Sequence, residues 1–162
     1  MSGSPIKDLG PCAVIFDGVT LGATMGGVIF RHTEESRPVR EDQQGVTNVD
    51  ELKVGASCEC EVPLTRSSLG QLSKVIGNAT YTGTKLEVGV VVGESLLDLA
   101  KTLILKPIIN SVVSTDEATW LTIYKAYPRA DLELTYNYET QRVYKVIFKA
   151  FPDTLGRFWK IG

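Results

Sequence analysis

Residues 131–150 read DLELTYNYETQRVYKVIFKA and predict one long antiparallel hairpin. Its first arm runs from Asp131 to Tyr138, a short polar turn follows, and the return arm runs from Arg142 to Ala150. Apolar side chains recur at every second position of each arm, which is the period of a half-buried strand. They are Leu132, Leu134, Tyr136, Tyr138, Tyr144, Val146, Phe148 and Ala150. The C-terminal hairpin at about 131–150 therefore predicts a β domain.

Length and composition predict a single domain over residues 1–162, large enough to bury a core without disulfides. The net charge of -2 and the pI of about 5.5 lack the basic footprint of a protein that grips phosphates. The first residues lack the features of a signal peptide, and no apolar run approaches the roughly 20 residues that span a bilayer. We expect a chain made in the cytoplasm, without a membrane or tight nucleic-acid partner.

Further strands are predicted by β-branched, aromatic or alternating runs bounded by turn residues. They lie at 12–16, 19–21, 28–32, 46–55, 56–64, 86–92 and 120–127. Apolar spacing from Ser67, a candidate N-cap, to Ile76 predicts one short α-helix. Residues 94–107 fit a helix or a strand, and we favour a helical turn followed by a strand that ends at Pro107. The predicted fold is mainly β, a sandwich or barrel of about seven or eight strands.

A dense polar stretch at about 33–45, from Thr33 to Gly45, carries both signs of charge and little to bury. We predict a long charged loop that becomes ordered against a neighbouring molecule, because long structureless connections are uncommon inside compact domains. A solvated, mobile loop is the alternative interpretation.

Catalytic chemistry finds little support in the residues. His32 is the only histidine and has no Ser or Cys partner at a recognisable spacing. The three cysteines, Cys12, Cys58 and Cys60, do not form a disulfide framework, and we expect buried apolar roles for them. We therefore expect a non-enzyme without metal or cofactor. A monomeric β-barrel that binds a small ligand is the competing hypothesis, and its pocket would be lined by Trp120, Tyr124, Tyr136, Tyr138 and Phe148.

The order of these features resembles the tail tube (major tail) proteins of tailed bacteriophages and of related contractile injection machines. The similar elements span nearly the whole chain. They are the glycine-flanked strand 26–32, the charged loop to Gly45, the strand closing at Gly55 and leading to Val62-Pro63-Leu64, the helix 67–76, the strand end Lys106-Pro107, the terminal hairpin, and the finish 148–162.

This resemblance implies a hexameric ring whose subunits form a continuous inner β-barrel, with rings stacked into a hollow conduit for DNA delivery. It also implies a place in the virion tail and contacts with terminator, baseplate or tip, and tape measure proteins. The tube of a contractile particle that delivers effectors stays open as an alternative.

Three groups of residues are the candidate sites of such a tube. The inter-ring stacking loop would use Glu34, Glu35, Arg37, Arg40, Glu41 and Asp42. The candidate lumen-facing acids, which would weakly repel DNA phosphates, are Glu59, Glu61, Glu87 and Glu133. The candidate apolar contacts between subunits are Phe158, Trp159 and Ile161.

Overall fold

The computed structural model describes residues 10–162. Strands dominate it, which confirms the mainly β prediction. The strands are β1 (Cys12–Phe16), β2 (Val19–Thr20), β3 (Ala23–Thr24), β4 (Ile29–Arg40), β5 (Asn48–Arg66), β6 (Ala79–Tyr81), β7 (Leu86–Val88), β8 (Lys101–Ile109), β9 (Val112–Val113), β10 (Leu121–Asp131), β11 (Tyr144–Phe151) and β12 (Trp159–Ile161). The α-helices are α1 (Leu69–Val75) and α2 (Leu96–Leu99), and 3-10 turns occupy Asp42–Gln44 and Glu117–Thr119.

One large antiparallel sheet organises the molecule, and its main path runs β2-β1-β8-β10-β11-β5-β3. Strand β12 joins it beside β10, β4 lies against β5, and β9 extends β8. Strands β6 and β7 pair separately. The arrangement is consistent with the predicted β-sandwich, although the strands are more numerous and several are shorter than predicted.

The core lies on one face of this sheet, where alternate residues of β5 point inward. Cys58, Cys60, Val62 and Leu64 are buried, whereas the residues between them are partly exposed. The other buried side chains of the cluster come from β1, β8, β10, β11 and α1, and from Leu21 between β2 and β3. They include Val14, Phe16, Leu72, Val75, Leu103, Ile123, Val146 and Phe148. Burial of this period-2 face is the apolar driving force that holds β5 in the sheet.

Helix α1 covers the core with Leu72 and Val75, as its apolar spacing predicts. Its N-cap is Ser68, one residue later than the predicted Ser67. The Ser68 hydroxyl accepts from the backbone N–H of Gln71, and the Gln71 side chain accepts from the backbone N–H of Ser68. This reciprocal pair satisfies two helix-end donors, which explains why Ser68 begins the helix. The single-turn α2 lies in the stretch 94–107, where a helical turn was favoured.

The predicted C-terminal hairpin has the wrong first arm. β11 pairs with β10 from Lys125↔Phe151 to Asp131↔Lys145, so the ascending arm is Leu121–Asp131. Residues 132–138 form no strand despite their alternating pattern. Asn137 accepts hydrogen bonds from the backbone of Glu139 (3.1 Å) and Thr140 (2.8 Å), a local turn that competes with extended pairing.

The predicted charged loop at 33–45 is wrong as well, because most of it is strand β4. Backbone pairing with β5 continues from Ile29↔Glu61 to Arg40↔Asn48, and only the 3-10 turn and its flanks connect the two strands. Polar residues form this strand because backbone pairing needs only a partner strand, and both faces are open to solvent.

The alternating run at 86–92 is a strand only over Leu86–Val88, which pairs with the three-residue β6. Val90 and Val92 are 81% and 92% exposed, since no neighbouring element covers them. At 94–107 the favoured prediction is confirmed: α2 is one helical turn, and β8 then runs two residues past Pro107.

Candidate functional site

The most distinctive surface is a β-hairpin that extends from the sheet, and residues 33–56 are named here the projecting hairpin. Its two strands pair with each other along their length, and none of its residues is buried. The side of β4 away from β5 carries no strand over the described part of the chain. A two-stranded ribbon without a buried face gains little stability by itself. Its unpaired strand edges are available for contact with another molecule.

Polar contacts across the strands hold one side of the projecting hairpin. Lys53 Nζ donates to Glu34 Oε1 at 2.9 Å, and Arg40 Nε donates to Asn48 Oδ1 at 2.8 Å. The hydrogen bond from Lys53 and its positive charge lower the pKa of the Glu34 carboxyl. Exposed pairs of this kind contribute little to stability, so they mainly define the register of the two strands.

The six predicted stacking residues all lie on this hairpin, although on a strand and turn instead of a loop. Glu34, Glu35, Arg37 and Arg40 belong to β4, Glu41 precedes the 3-10 turn, and Asp42 begins it. Within residues 10–162, Glu34 forms an ion pair with Lys53, whereas the other five form none. Arg40 is engaged with Asn48, and the other four are available to pair with a neighbouring molecule.

Strand β5 and Val46, just before it, add apolar side chains that sequence analysis had left out of the site. Val46, Val49, Leu52 and Val54 are 85%, 43%, 57% and 55% exposed. The pairing register shifts at two points, between Glu35 and Ser36 and between Val39 and Arg40, each placing an extra residue in β5. Such bulges interrupt the strict alternation, which is why period 2 did not indicate a contact face here. In the sequence, these exposed apolar side chains are marked by an apolar residue every two or three positions beside a charged strand.

The base of the projecting hairpin is braced by the C-terminal strand. Trp159 Nε1 donates to His32 Nδ1 at 3.2 Å, and the Trp159 ring packs edge-on against Phe30 with centroids 5.2 Å apart. Trp159 is therefore partly buried within its own chain, and its place between subunits stays a prediction. Phe158 is partly covered beside His32, whereas Ile161 stays 54% exposed.

The four candidate lumen acids do not form one acidic surface. Glu59 and Glu61 share the outer face of β5, where Arg31 lies 3.3 and 3.5 Å from them and Lys145 lies 3.1 Å from Glu61. Opposite charges therefore neutralise this pair. The other two lie apart from it: Glu87 pairs with Lys85 on the small β6–β7 ladder, and Glu133 lies in the irregular segment after β10.

The aromatic side chains of the competing pocket hypothesis are dispersed. Phe148 is fully buried, whereas Tyr136 and Tyr138 are 76% and 108% exposed. Trp120 is engaged elsewhere, because its Nε1 donates to the carbonyl of Ser114 and Lys106 lies over its ring. These residues do not line one enclosed pocket, and a small-ligand site built from them has no support.

The cysteines behave as core residues. Cys58 and Cys60 are free and buried on one face, and burial raises the pKa of their thiols to about 11 and about 12. Burial also raises the pKa of the Cys12 thiol. Within residues 10–162, no group of three or more His, Cys, Asp or Glu side chains is placed to hold a metal ion.

We expect thiol labelling of the native protein to be slow at pH 8, because the reactive thiolate is scarce below a raised pKa. In denaturant all three cysteines should react at once. Raising the pH from 8 toward 10 should accelerate native labelling at Cys58 and Cys60 steeply, by roughly tenfold per pH unit, because the thiolate fraction grows at that rate while the pH stays below their pKa values. A chromogenic disulfide reagent measures both rates. Rapid native labelling of two or more thiols at pH 8 would contradict the buried assignment.

No helix in the described residues is both long and apolar enough to cross a bilayer.

The projecting hairpin is an exposed ribbon with open edges, unpaired charges and apolar side chains. These features can bind another protein chain through backbone pairing and side-chain contact. Comparisons with protein-family models and with curated proteins gave no match.

Proposed function

We propose that this chain is the structural subunit of a phage tail tube, in which hexameric rings stack into a hollow conduit for DNA. The observation that carries the proposal is the projecting hairpin, which has no buried residue and exposes Leu52, Val54 and charges without ion-pair partners within residues 10–162. A subunit that works alone gains nothing from such a ribbon. A subunit that repeats along a tube uses it at every ring contact.

The charges of the projecting hairpin support register between rings. Arg37 and the carboxylates of Glu35, Glu41 and Asp42 have no ion-pair partners within residues 10–162. Individually exposed pairs contribute little, but the same pairs recur in each of the subunits of a ring. Apolar contact by Leu52 and Val54 supplies the larger part of the binding free energy.

The tube would assemble with terminator, baseplate or tip, and tape measure proteins in the virion tail, after synthesis in the bacterial cytoplasm. DNA would pass through it without stable binding. The pairing of Glu59 and Glu61 with Arg31 and Lys145 supports this use, because a face with alternating charges offers phosphates no continuous basic track.

Electron microscopy of the purified chain, with light scattering, tests the proposal. We expect rings or hollow rods of uniform width, with mass growing in steps of one ring. A strictly monomeric protein over a wide range of concentration and salt would contradict it. If that monomer also quenched its tryptophan fluorescence on adding hydrophobic ligands, the result would favour a ligand-binding barrel.

A further inference from the structure

Strand β5 continues beyond the end of its partner β11. The last β11 pairing is Lys149↔Glu59, and residues 48–58 of β5 have no strand on that side in the described part of the chain. Strand β4 occupies the other side only. This length of β5 therefore presents free backbone N–H and C=O groups, which are a template for an added strand.

A groove of about 680 Å³ lies where β11 leaves β5, and it is named here the notch. Its walls are residues 55–59 of β5 and residues 149–152 after the pairing ends, and Phe158 contributes to the lining. Cys58 and Ala150 lie on the core-side face of the sheet, whereas Lys149 lies on the outer face and forms no ion pair within residues 10–162. The notch thus offers an apolar side and a basic side.

The segment 132–138 has the complementary pattern. Leu132, Leu134, Tyr136 and Tyr138 recur at alternate positions and are 44%, 44%, 76% and 108% exposed. Glu133 lies between the two leucines and has no ion-pair partner among the described residues. Extended, the segment would place these apolar side chains on one face and Glu133 on the other.

We infer that residues 132–138 of one subunit add as a strand to the free edge of β5 in the notch of a neighbouring copy. This inference rests on the proposed tube function and names the contact within it. The apolar face of the segment packs on Ala150 and Phe158, and Glu133 pairs with Lys149. Backbone hydrogen bonds supply affinity, and the alternating side chains set the register.

The donated segment 132–138 and the notch that accepts it cannot belong to one subunit unless the chain reverses its direction. The segment leaves β10 at Asp131, opposite Lys145, whereas the notch lies at the far end of β11, near Phe151. Six strand residues separate the two points, roughly 20 Å. A donated segment at one end of a sheet and an acceptor groove at the other allow a head-to-tail contact, which builds rings or filaments when each subunit passes its segment to the next.

Proline substitution of the full-length chain tests the strand directly. Neighbouring residues of a strand direct their N–H groups to opposite sides, so either Leu134→Pro or Thr135→Pro must remove a donor that faces β5. We expect at least one of them to lower the yield of rings or rods about tenfold, while Thr135→Ala, which keeps its N–H, assembles normally. Circular dichroism and melting should be unchanged, because the segment forms no strand in the subunit itself.

A cysteine cross-link gives an independent readout. Ser57→Cys combined with Thr135→Cys should yield covalent multimers under mild oxidant, and the matched pair Ser57→Cys with Lys85→Cys should not. The three substituted residues, Ser57, Lys85 and Thr135, are all exposed.

The outcomes separate this inference from the proposed function. If the unmodified chain assembles and both proline variants assemble equally well, the strand assignment is wrong and the tube stands. If the unmodified chain forms neither rings nor rods, the tube proposal fails and the inference with it. If Val91→Pro alone blocks assembly, the exposed run 88–92 occupies the notch and the assignment to 132–138 is overturned.

Discussion

Replacing residues 34–56 with a two-residue Asn-Gly turn should give a folded subunit that no longer stacks into tubes. Thr33 and Ser57 are directly paired in the antiparallel ladder, so a two-residue turn can connect them without changing the register. None of the removed residues is buried, and the core face of β5 begins at Cys58. The melting temperature should therefore change by less than about 5 °C.

Loss of rods with retention of the subunit fold is the expected result, measured by electron microscopy and circular dichroism. A matched variant, Leu52→Thr with Val54→Thr, keeps the ladder and strand propensity but removes much of the exposed apolar area. We expect partial assembly from it, because backbone and charge contacts remain. Rods of normal length and yield from the truncated protein would remove the stacking role of the projecting hairpin.

The second large effect is expected at Gly22, where Gly22→Ala should destabilise the fold strongly. A Cβ at this position would lie 1.5 Å from the carbonyl oxygen of Arg66 and 2.7 Å from its carbonyl carbon. Both are backbone atoms at the end of β5, so no side-chain rotation relieves the clash. Hydrogen bonds hold the backbone on both sides of Gly22, since the Leu21 N–H donates to the Val14 carbonyl and the Met25 N–H donates to the Pro63 carbonyl.

We expect a loss of about 3 kcal/mol in the free energy of unfolding, at the upper end of overpacking in a well-packed region. Gly89→Ala is the matched control, because a Cβ there meets nothing within 4 Å. Its effect should stay within about 0.5 kcal/mol. Urea unfolding followed by tryptophan fluorescence measures both. Equal stability of the two variants would show that the backbone of 21–25 yields more easily than its hydrogen bonds indicate.

The elements that sequence analysis predicted well are those whose side chains are buried on one face. Cys58 to Leu64 alternate because every second residue enters the core, and Leu72 and Val75 are spaced to face it from α1. Burial of one face gives the sequence a periodic pattern of apolar residues, and this pattern suffices to predict the mainly β fold and the helix.

The sequence of the projecting hairpin has no such periodic apolar pattern. Neither face of β4 is buried between Thr33 and Arg40, so its residues were free to be polar, and polarity was interpreted as a loop. The opposite error occurred at 132–138, where an alternating pattern is present but the subunit provides no paired strand. In the proposed tube, contacts with neighbouring copies would account for an alternating pattern that has no paired strand within one chain. The candidate stacking residues were found by charge alone, and their apolar partners on β5 were missed.

The paired backbone of the projecting hairpin also bears on how fast subunits join. Fixing one residue of a flexible chain costs about 1–2 kcal/mol in conformational entropy, so a disordered arm of this length would oppose association heavily. Here that ordering has already occurred during folding, and Trp159 holds the root of the arm in one orientation. In the proposed tube, ring addition would therefore meet a preorganised surface, and its slow step would be the ordering of a shorter segment on docking.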